Sequence, residues 1–403
     1  MVIICIICIL EISITQNMMK HSYLLFILFF NLFSAQKLQV VDSENGKPIP
    51  NARVLLHNQI VYTNEEGFAP VDQSSVNFEI SASGFQKAII QEFYSPIKLK
   101  RGYKKIDEVK LIKVDLKDIF EDVASHYKKR YYNEPSLYDV TYKEKRSDNN
   151  QIHFLVIAET KLWSKTNFYN HNKSFDNNLQ MQLNNVKYFK DLKSDSMFVK
   201  GIKKFSDEYM GNYFFNFELN RALAHVKNKA SKYSGWIFFE QGNEQFITFN
   251  IKSGLGIEMK GELKYNKADK VITYFEIHYL QDQYPMVKRR TGAGEEFDYQ
   301  LGNAMLVFDF YKKEGIYVPA MSKIEGNKFV AYYKGVKHER KISRELIYNT
   351  FKKSDEKGLT PRVDFAKDIW DNTLVKENKN NTILLTTEEQ AFINKKLPDF
   401  ESK

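Results

Sequence analysis

Apolar and polar residues alternate along most of the chain, which is the pattern of half-buried β-strands. Near the N-terminal end, ARVLLHN (52–58) and NFEISASGF (77–85) each have an apolar residue at every second position, so that these side chains point to one face of a strand. Longer runs of the same kind are SLYDVTYKEK (136–145), QIHFLVIAETKLW (151–163) and LQMQLNNVKYF (179–189). Turn residues then recur roughly every ten positions between residues 233 and 280, which favours an antiparallel sheet. The pattern predicts a mainly β fold with a few helices, of the α+β class.

Three segments show the 3.6-residue period of amphipathic helices instead. Residues 114–132 place five apolar side chains on one stripe, namely Leu116, Ile119, Phe120, Val123 and Tyr127. Residues 215–228 predict a second helix, and residues 386–396 predict a third that begins with a capping box from Thr387 to Gln390. We expect the stripes to pack on the sheet. For the first helix, binding to a membrane surface is the alternative.

Glycine and proline mark where the strands end. The Asn45-Gly46 turn precedes Pro48 and Pro50, and because proline cannot donate a ladder hydrogen bond, this segment predicts an edge connection that fixes the next strand. Gly67 and Gly84 are expected to adopt positive φ at tight turns. Further turns are predicted at Gly242-Asn243, Gly254, Gly261, Lys267-Ala268, Glu314-Gly315 and Glu325-Gly326.

Four motifs follow one another in the first part of the chain: VVDSENGKPIPNARVLL, VYTNEEGFAPV, FEISASGFQKAII and IDEVKLIK. Together they resemble carboxypeptidase-regulatory-like domains, which are small transthyretin-like β-sandwiches widespread in exported proteins of Bacteroidota-type bacteria. The resemblance covers residues 36–113 and departs from the family at Leu38, where glycine is usual. It implies a small β-sandwich domain over these residues.

Residues 114–403 resemble the uncharacterised C-terminal region that follows this sandwich in many envelope proteins of such bacteria. The shared marks are a helix followed by YYNEPSLYDVTYKE, then GWIFFEQGNEQFITFNI and a late DFAKDIWDN. The strand pattern is also similar in kind to the curved sheets of periplasmic lipoprotein carriers, an analogy of pattern alone. We therefore predict a second, larger antiparallel β domain with amphipathic helices that can curve into a half-barrel.

The first 35 residues have the composition of a secretory signal peptide. Lys20 precedes an apolar core from Tyr23 to Phe33, and the small residues Ser34-Ala35 offer a cleavage site. Residues 1–18 are interpreted as an incorrectly assigned start of translation, and an uncleaved N-terminal anchor is the alternative. The segment predicts an exported protein of the periplasm or one that is associated with the outer membrane.

Composition narrows the choice of partners. The 403 residues are 27% charged and 43% hydrophobic, as in ordinary globular proteins. Both cysteines, Cys5 and Cys8, lie in the signal segment, so cleavage would leave no disulfide, thiolate nucleophile or cysteine metal site. The net charge of +9 suits an envelope partner such as a lipid headgroup or an anionic glycan. Because the lysines are scattered and export is predicted, we expect no nucleic-acid partner.

The sequence contains no catalytic, cofactor-binding or metal-binding motif. None of its eight histidines has glutamate three positions later, so the His-x-x-Glu ligand pair of zinc carboxypeptidases is missing. Nucleophile-elbow and glycine-rich phosphate-binding motifs are missing too. TGAGEEFD (291–298) could bind an ion, but a flexible hairpin loop is the simpler interpretation. Trp163, Trp236 and Trp370 could form a sugar-stacking face, although large aromatic residues more often lie in the core.

Two functions are compatible with these observations. The missing motifs favour a non-enzymatic cell-envelope protein that binds or scaffolds a partner protein, a glycan or a lipid. The alternative is an envelope hydrolase of glycans or peptides, which a deep polar pocket with clustered carboxylates would favour. The half-barrel could hold an elongated apolar ligand on its concave face, or helices could cover that face and leave a filled core.

Overall fold

A computed structural model describes residues 37–102, 112–168, 178–192, 214–254, 256–291, 294–363 and 384–395, without the side chains of residues 327–329. It is 53% strand with three helices over these ranges, so the mainly β, α+β class predicted from the sequence is confirmed. The predicted signal segment, residues 1–35, lies outside the described residues. None of the helices in the described part of the chain is long and apolar enough to cross a membrane.

The N-terminal unit, which we call the sandwich (residues 38–99), consists of two small sheets that share one apolar core. Their seven strands are β1 Leu38–Asp42, β2 Arg53–Leu55, β3 Ile60–Tyr62, β4 Phe68–Ala69, β5 Phe78–Ser81, β6 Ala88–Ile90 and β7 Ile97–Leu99. The sheet orders are β4-β1-β7 and β3-β2-β5-β6. Val40, Val54 and Ile80 project from the two sheets into the core and are fully buried. In β5 alternation separates the buried Phe78 and Ile80 from the half-buried Glu79, as the sequence pattern predicts, whereas Ile60 and Tyr62 of β3 are buried outside this core.

Gly67 makes the turn before β4 as expected. Its φ is +75°, and a Cβ at this position would lie 2.6 Å from the carbonyl oxygen of Val40. The same two residues are joined by a 2.8 Å hydrogen bond from the Val40 amide to the Gly67 carbonyl. Pro48 forms a bridge with Val41 beside this turn. The stiff proline segment thus holds the entry to β2 against the edge of β1.

The remaining strands form one 14-stranded antiparallel sheet. They are β8 Ile112–Val114, β9 Ser136–Asp148, β10 Gln151–Ser164, β11 Leu179–Asp191, β12 Lys232–Gln241, β13 Glu244–Lys252, β14 Glu258–Asn266, β15 Val271–Leu280, β16 Val287–Arg290, β17 Glu296–Gln300, β18 Ala304–Lys313, β19 Ile316–Tyr333, β20 Val336–Tyr348 and β21 Lys352–Lys353. The main order is β11-β10-β9-β20-β19-β18-β15-β14-β13-β12-β8, with β17 also joined to β19 and β21 to β9. Since β11 and β8 do not pair with each other, the sheet is open.

Helices α1 (Leu116–Arg130) and α2 (Phe215–Lys227) cover one face of this sheet, which we call the helix face. The five residues of the predicted stripe of α1 are the ones that its helix buries. Phe120 packs edge-on against Phe249 and Phe275 of the sheet, whose rings stack at 5.6 Å. The cavity beside Phe215 measures about 20 Å³, which is room for about one water molecule. Helices therefore fill this space with side chains, and an acyl chain does not fit in that cavity.

Two predicted turns are wrong because the glycines concerned lie within strands. A Cβ on Gly261 in β14 would lie 2.6 Å from the Phe249 ring and 2.0 Å from the Glu276 carbonyl oxygen. A Cβ on Gly326 in β19 would lie 2.7 Å from the carbonyl oxygen of Asn303. Glycine is needed at both positions for close approach by another strand or ring.

Helix α3 (Thr387–Asn394) packs on the opposite face of the sheet, against β10 and β11. Its capping box is formed by Thr386 and Glu389, one residue before the predicted Thr387–Gln390 pair. Glu389 is fully buried. The register of the box is therefore set by tertiary packing, because the TTEEQ sequence offers two overlapping possibilities.

Candidate functional site

The face of the large sheet opposite α1 and α2 carries a polar groove built from laterally paired residues. One row, Trp236, Thr248, Glu262 and Glu276, crosses β12 to β15 with each residue directly opposite the next. The adjacent row continues to β9 and contains Ser234, Asn250, Lys260, His278, Met305, Glu325, Ser343 and Lys145. We refer to these two rows as the groove.

Strand alternation explains why this face is polar while the other is apolar. In β15, Phe275, Ile277 and Tyr279 point to the helix face and are buried, whereas Glu276 and His278 lie in the groove. The same division runs through β12, β13 and β14, where exposed or half-buried groove residues alternate with buried ones. Each strand therefore supplies one apolar side to the core and one polar side to the groove.

The sandwich lies on this face and forms one wall of the groove. Ile60 and Tyr62 pack against Val307, Ala320 and Met321 of the sheet. At the wall itself, the Ser83 hydroxyl donates a 3.2 Å hydrogen bond to Glu262. Contact between the two units thus places a sandwich side chain directly beside the floor of the groove.

The groove is long and open to solvent. One cleft of about 500 Å³ extends from Trp236 to His278, and a second of about 600 Å³ extends from Lys260 to Lys145. Lys260 and His278 line both clefts. From β12 to β9 the floor crosses seven strand spacings, or roughly 34 Å at about 4.8 Å each. These dimensions suit an extended chain better than a compact small molecule.

Glu262 and Glu276 have pKa values that are shifted in opposite directions. Burial and the neighbouring Glu276 carboxylate raise the pKa of Glu262. Burial alone would also raise the pKa of Glu276, but hydrogen bonds from His278 and Tyr274 lower it. His278 Nε2 lies 2.6 Å from the Glu276 carboxylate. Of the two, Glu276 is therefore the group that is more readily ionised, and Glu262 retains its proton to higher pH.

The three tryptophans do not form one surface. Trp163 is buried, and its indole N–H donates a 3.0 Å hydrogen bond to the Glu356 carbonyl oxygen. Trp370 lies outside the described residues. Trp236 is 36% exposed and lines the end of the groove. The sequence suggested, as an alternative, a sugar-stacking face made of three tryptophans. The structure instead shows a single aromatic platform, Trp236, in a row of polar residues.

Two of the three carboxylates in the loop at residues 291–298, those of Glu295 and Glu296, are already paired within the protein. Glu296 pairs with Arg290 at 2.9 Å, and Glu295 pairs with Lys334 at 2.9 Å and also accepts a hydrogen bond from Tyr333. The described part of the chain contains no cluster of histidine, cysteine, aspartate or glutamate that could hold a metal ion. The loop is therefore a weaker candidate site than the groove.

No family model and no curated protein matches this sequence. The resemblance of residues 36–113 to carboxypeptidase-regulatory-like domains therefore stays a prediction. Sequence reasoning missed the groove because residues that lie opposite each other in it are 10 or more positions apart along the chain and meet only through strand register, as Trp236 and Thr248 do.

Proposed function

We propose that the protein is a non-enzymatic component of the cell envelope that binds an extended glycan along the groove. The observation that carries this proposal is the position of Trp236, whose partly exposed indole ends a row of polar side chains. An indole face packs well on the C–H surface of a sugar ring, while hydroxyl groups need polar partners beside it. Thr248 and Asn250 supply such partners on the neighbouring strand.

A glycan suits this surface better than a lipid does. The helix face is closed by Phe120, Phe215 and their neighbours, whereas the two rows of the open groove are polar or charged except at Trp236 and Met305. An acyl chain on that floor would leave polar groups without hydrogen bonds, which is unfavourable. A hydrated chain with many hydroxyl groups keeps these side chains satisfied along its whole length.

Export is part of the same proposal. Lys20, the apolar core that follows it and Ser34-Ala35 support a cleaved signal peptide and a location in the periplasm or at the outer membrane. Sequencing the N-terminus of protein purified from its native cells should give a mature start near Gln36. An intact Met1 on a cytosolic protein would contradict export.

A hydrolase is the second candidate, and the pair Glu262 and Glu276 is the observation that favours it. Directly opposite residues on antiparallel strands have Cβ atoms about 4.5–5.5 Å apart, near the separation of about 5–5.5 Å between the carboxyl groups of retaining glycosidases. Opposite pKa shifts are also typical of an acid and its partner carboxylate. The open floor excludes little water, so binding remains the function that we propose.

Calorimetric titration with neutral and acidic oligosaccharides tests the glycan proposal. Chitohexaose, cellohexaose and hexagalacturonate serve as probes, and we expect at least one of them to bind. Trp236→Ala should weaken that binding about tenfold, or about 1.4 kcal/mol. Tyr94→Ala is the matched control, since Tyr94 is an exposed aromatic residue of the sandwich outside the groove.

Two results would contradict glycan binding: no heat with any of the three probes, or equal affinities of the wild type and Trp236→Ala. The same samples test the hydrolase. Shortened oligosaccharides after prolonged incubation, which are missing with Glu262→Gln and Glu276→Gln, would replace the binding proposal with catalysis.

A further inference from the structure

The far end of the groove is occupied by the C-terminal helix of the chain itself. Helix α3 buries the Glu389 carboxylate completely, 2.7 Å from Lys143 Nζ and 3.7 Å from Lys145 Nζ. The 2.7 Å contact is an ion pair made by Glu389 Oε1, and Oε2 accepts a 3.1 Å hydrogen bond from the Thr386 amide. Lys143 and Lys145 belong to β9 and point to the groove side of the sheet. Together they form a carboxylate site that an internal side chain fills.

The start of α3 also separates two clefts. Glu388 lines the cleft of about 600 Å³, and Leu384 lines a smaller one of about 80 Å³ between sandwich and sheet. Lys145 and Ser343 line both of these clefts. Displacing α3 would therefore join the two clefts across the lysines and lengthen the groove.

Helix α3 is held by contacts at both of its ends. At the C-terminal end, Lys190 of β11 lies over the Phe392 ring and donates hydrogen bonds to the carbonyl oxygens of Ile393, at 2.9 Å, and of Lys395. The helix has eight residues, which is too short for a helix that is stable without tertiary packing. Its apolar residue Phe392 is buried and packs against Leu155 and Ile157 of β10. Its first turn is tied to the sandwich by one hydrogen bond of 2.7 Å, from the Thr387 amide to Glu66. A buried ion pair adds little net stability, because desolvation of both charges offsets their attraction.

The lysines themselves are well suited to an anionic ligand. Burial alone would lower the pKa of Lys145, but Glu65 and Glu389 raise it above its usual value. Glu65 lies 3.2 Å from Lys145 and stays on the sandwich when α3 leaves. Lys143, in contrast, has its ion pair with Glu389, so loss of α3 leaves a cation at the floor of the enlarged groove.

We propose that α3 is an autoinhibitory latch, and that the glycan which displaces it carries carboxylate groups that replace Glu389 on Lys143 and Lys145. The inference rests on the proposed glycan-binding function and narrows it to acidic glycans, such as those that contain uronic acids. Ligand and helix compete for one site, so each weakens the binding of the other by the same factor.

Glu389→Gln in the full chain tests the competition. Glutamine still serves in a capping box, so the substitution removes the charge and keeps the helix start. Hexagalacturonate should bind the variant at least about fivefold more tightly than the wild type, and neutral cellohexaose should be unaffected. Gln390→Ala, an exposed position on the same helix, is the control and should leave both affinities unchanged.

Two further measurements distinguish competition at Lys143 and Lys145 from a general loss of helical structure in α3. Adding Lys143→Gln and Lys145→Gln to Glu389→Gln should abolish the gain for hexagalacturonate. Hydrogen exchange at the amides of α3 in the wild type should become faster when hexagalacturonate is added, because the helix is displaced.

Equal hexagalacturonate affinities of the wild type and Glu389→Gln would overturn the latch, as would slower or unchanged exchange in α3. If Trp236→Ala still weakens binding in that case, only the latch is wrong and the glycan groove stands. If no oligosaccharide binds either protein, the proposed function itself has failed.

Discussion

Arg53 of the sandwich donates a 2.8 Å hydrogen bond to Asp309 of the large sheet, and both side chains are only 11% exposed. The Tyr62 hydroxyl donates a second bond to the same carboxylate at 2.6 Å. Arg53 also donates to the Phe310 carbonyl oxygen at 2.9 Å. A buried charge is stable only when it is paired. This contact therefore couples the two units, and we expect them to unfold together.

Asp309→Ala should destabilise the protein by about 3–5 kcal/mol, because it leaves the Arg53 guanidinium buried without its partner. The free energy of unfolding from urea titration measures the change. The double variant Arg53→Met with Asp309→Leu removes both charges and should lose less stability than the single variant. A single variant that is as stable as the wild type would show that the contact does not couple the units.

Gly67→Ala should cost about 1–3 kcal/mol, since its turn combines positive φ with a close contact to the Val40 carbonyl oxygen. Gly46 separates these two causes, because its φ is +69° but a Cβ there would meet nothing within 4 Å. Gly46→Ala should therefore cost only about 1 kcal/mol. Denaturation midpoints of the two variants give the comparison, and equal losses would mean that the contact with Val40 is unimportant.

Glu262→Gln should stabilise the protein at pH 7, by up to about 1 kcal/mol, because it removes one of two like charges on directly opposite residues. The sign follows from the raised pKa of Glu262. The folded state holds that proton more tightly, so the wild type loses stability as pH rises through the folded pKa. The advantage of the variant should disappear below the ordinary pKa of glutamate. Urea titrations at several pH values test this, and a constant difference would contradict it.

The contribution of Glu144 to stability should depend on pH in the opposite way, because the pKa of Glu144 is lowered. Burial alone would raise its pKa, but Arg344 and Arg146 lower it to about 2 from an ordinary value of 4.5. Its contribution, about 3 kcal/mol, is present above pH 4.5 and is lost as pH falls toward 2. Glu144→Gln should therefore be much less stable than the wild type at pH 7 and nearly equal to it near pH 2. A difference that persists in acid would point to lost packing instead.

The sequence by itself determined the class of fold and the faces of its elements. The stripe from Leu116 to Tyr127 defined the buried side of α1, because a helix repeats every 3.6 residues whatever lies beside it. Alternation in β15 likewise assigned Phe275 and Glu276 to opposite faces. These features are local, since the backbone period alone relates each residue to its neighbours.

Only the tertiary structure decided which residues meet across the sheet. Gly261 looked like a turn from its sequence, but its role is to admit the Phe249 ring from the next strand. The capping box of α3 could begin at Thr386 or Thr387, and burial of Glu389 against Lys143 selects the first. Trp236 and Glu262 enter one row through strand register. Register depends on pairing between distant segments, so no local pattern in the sequence encodes the groove.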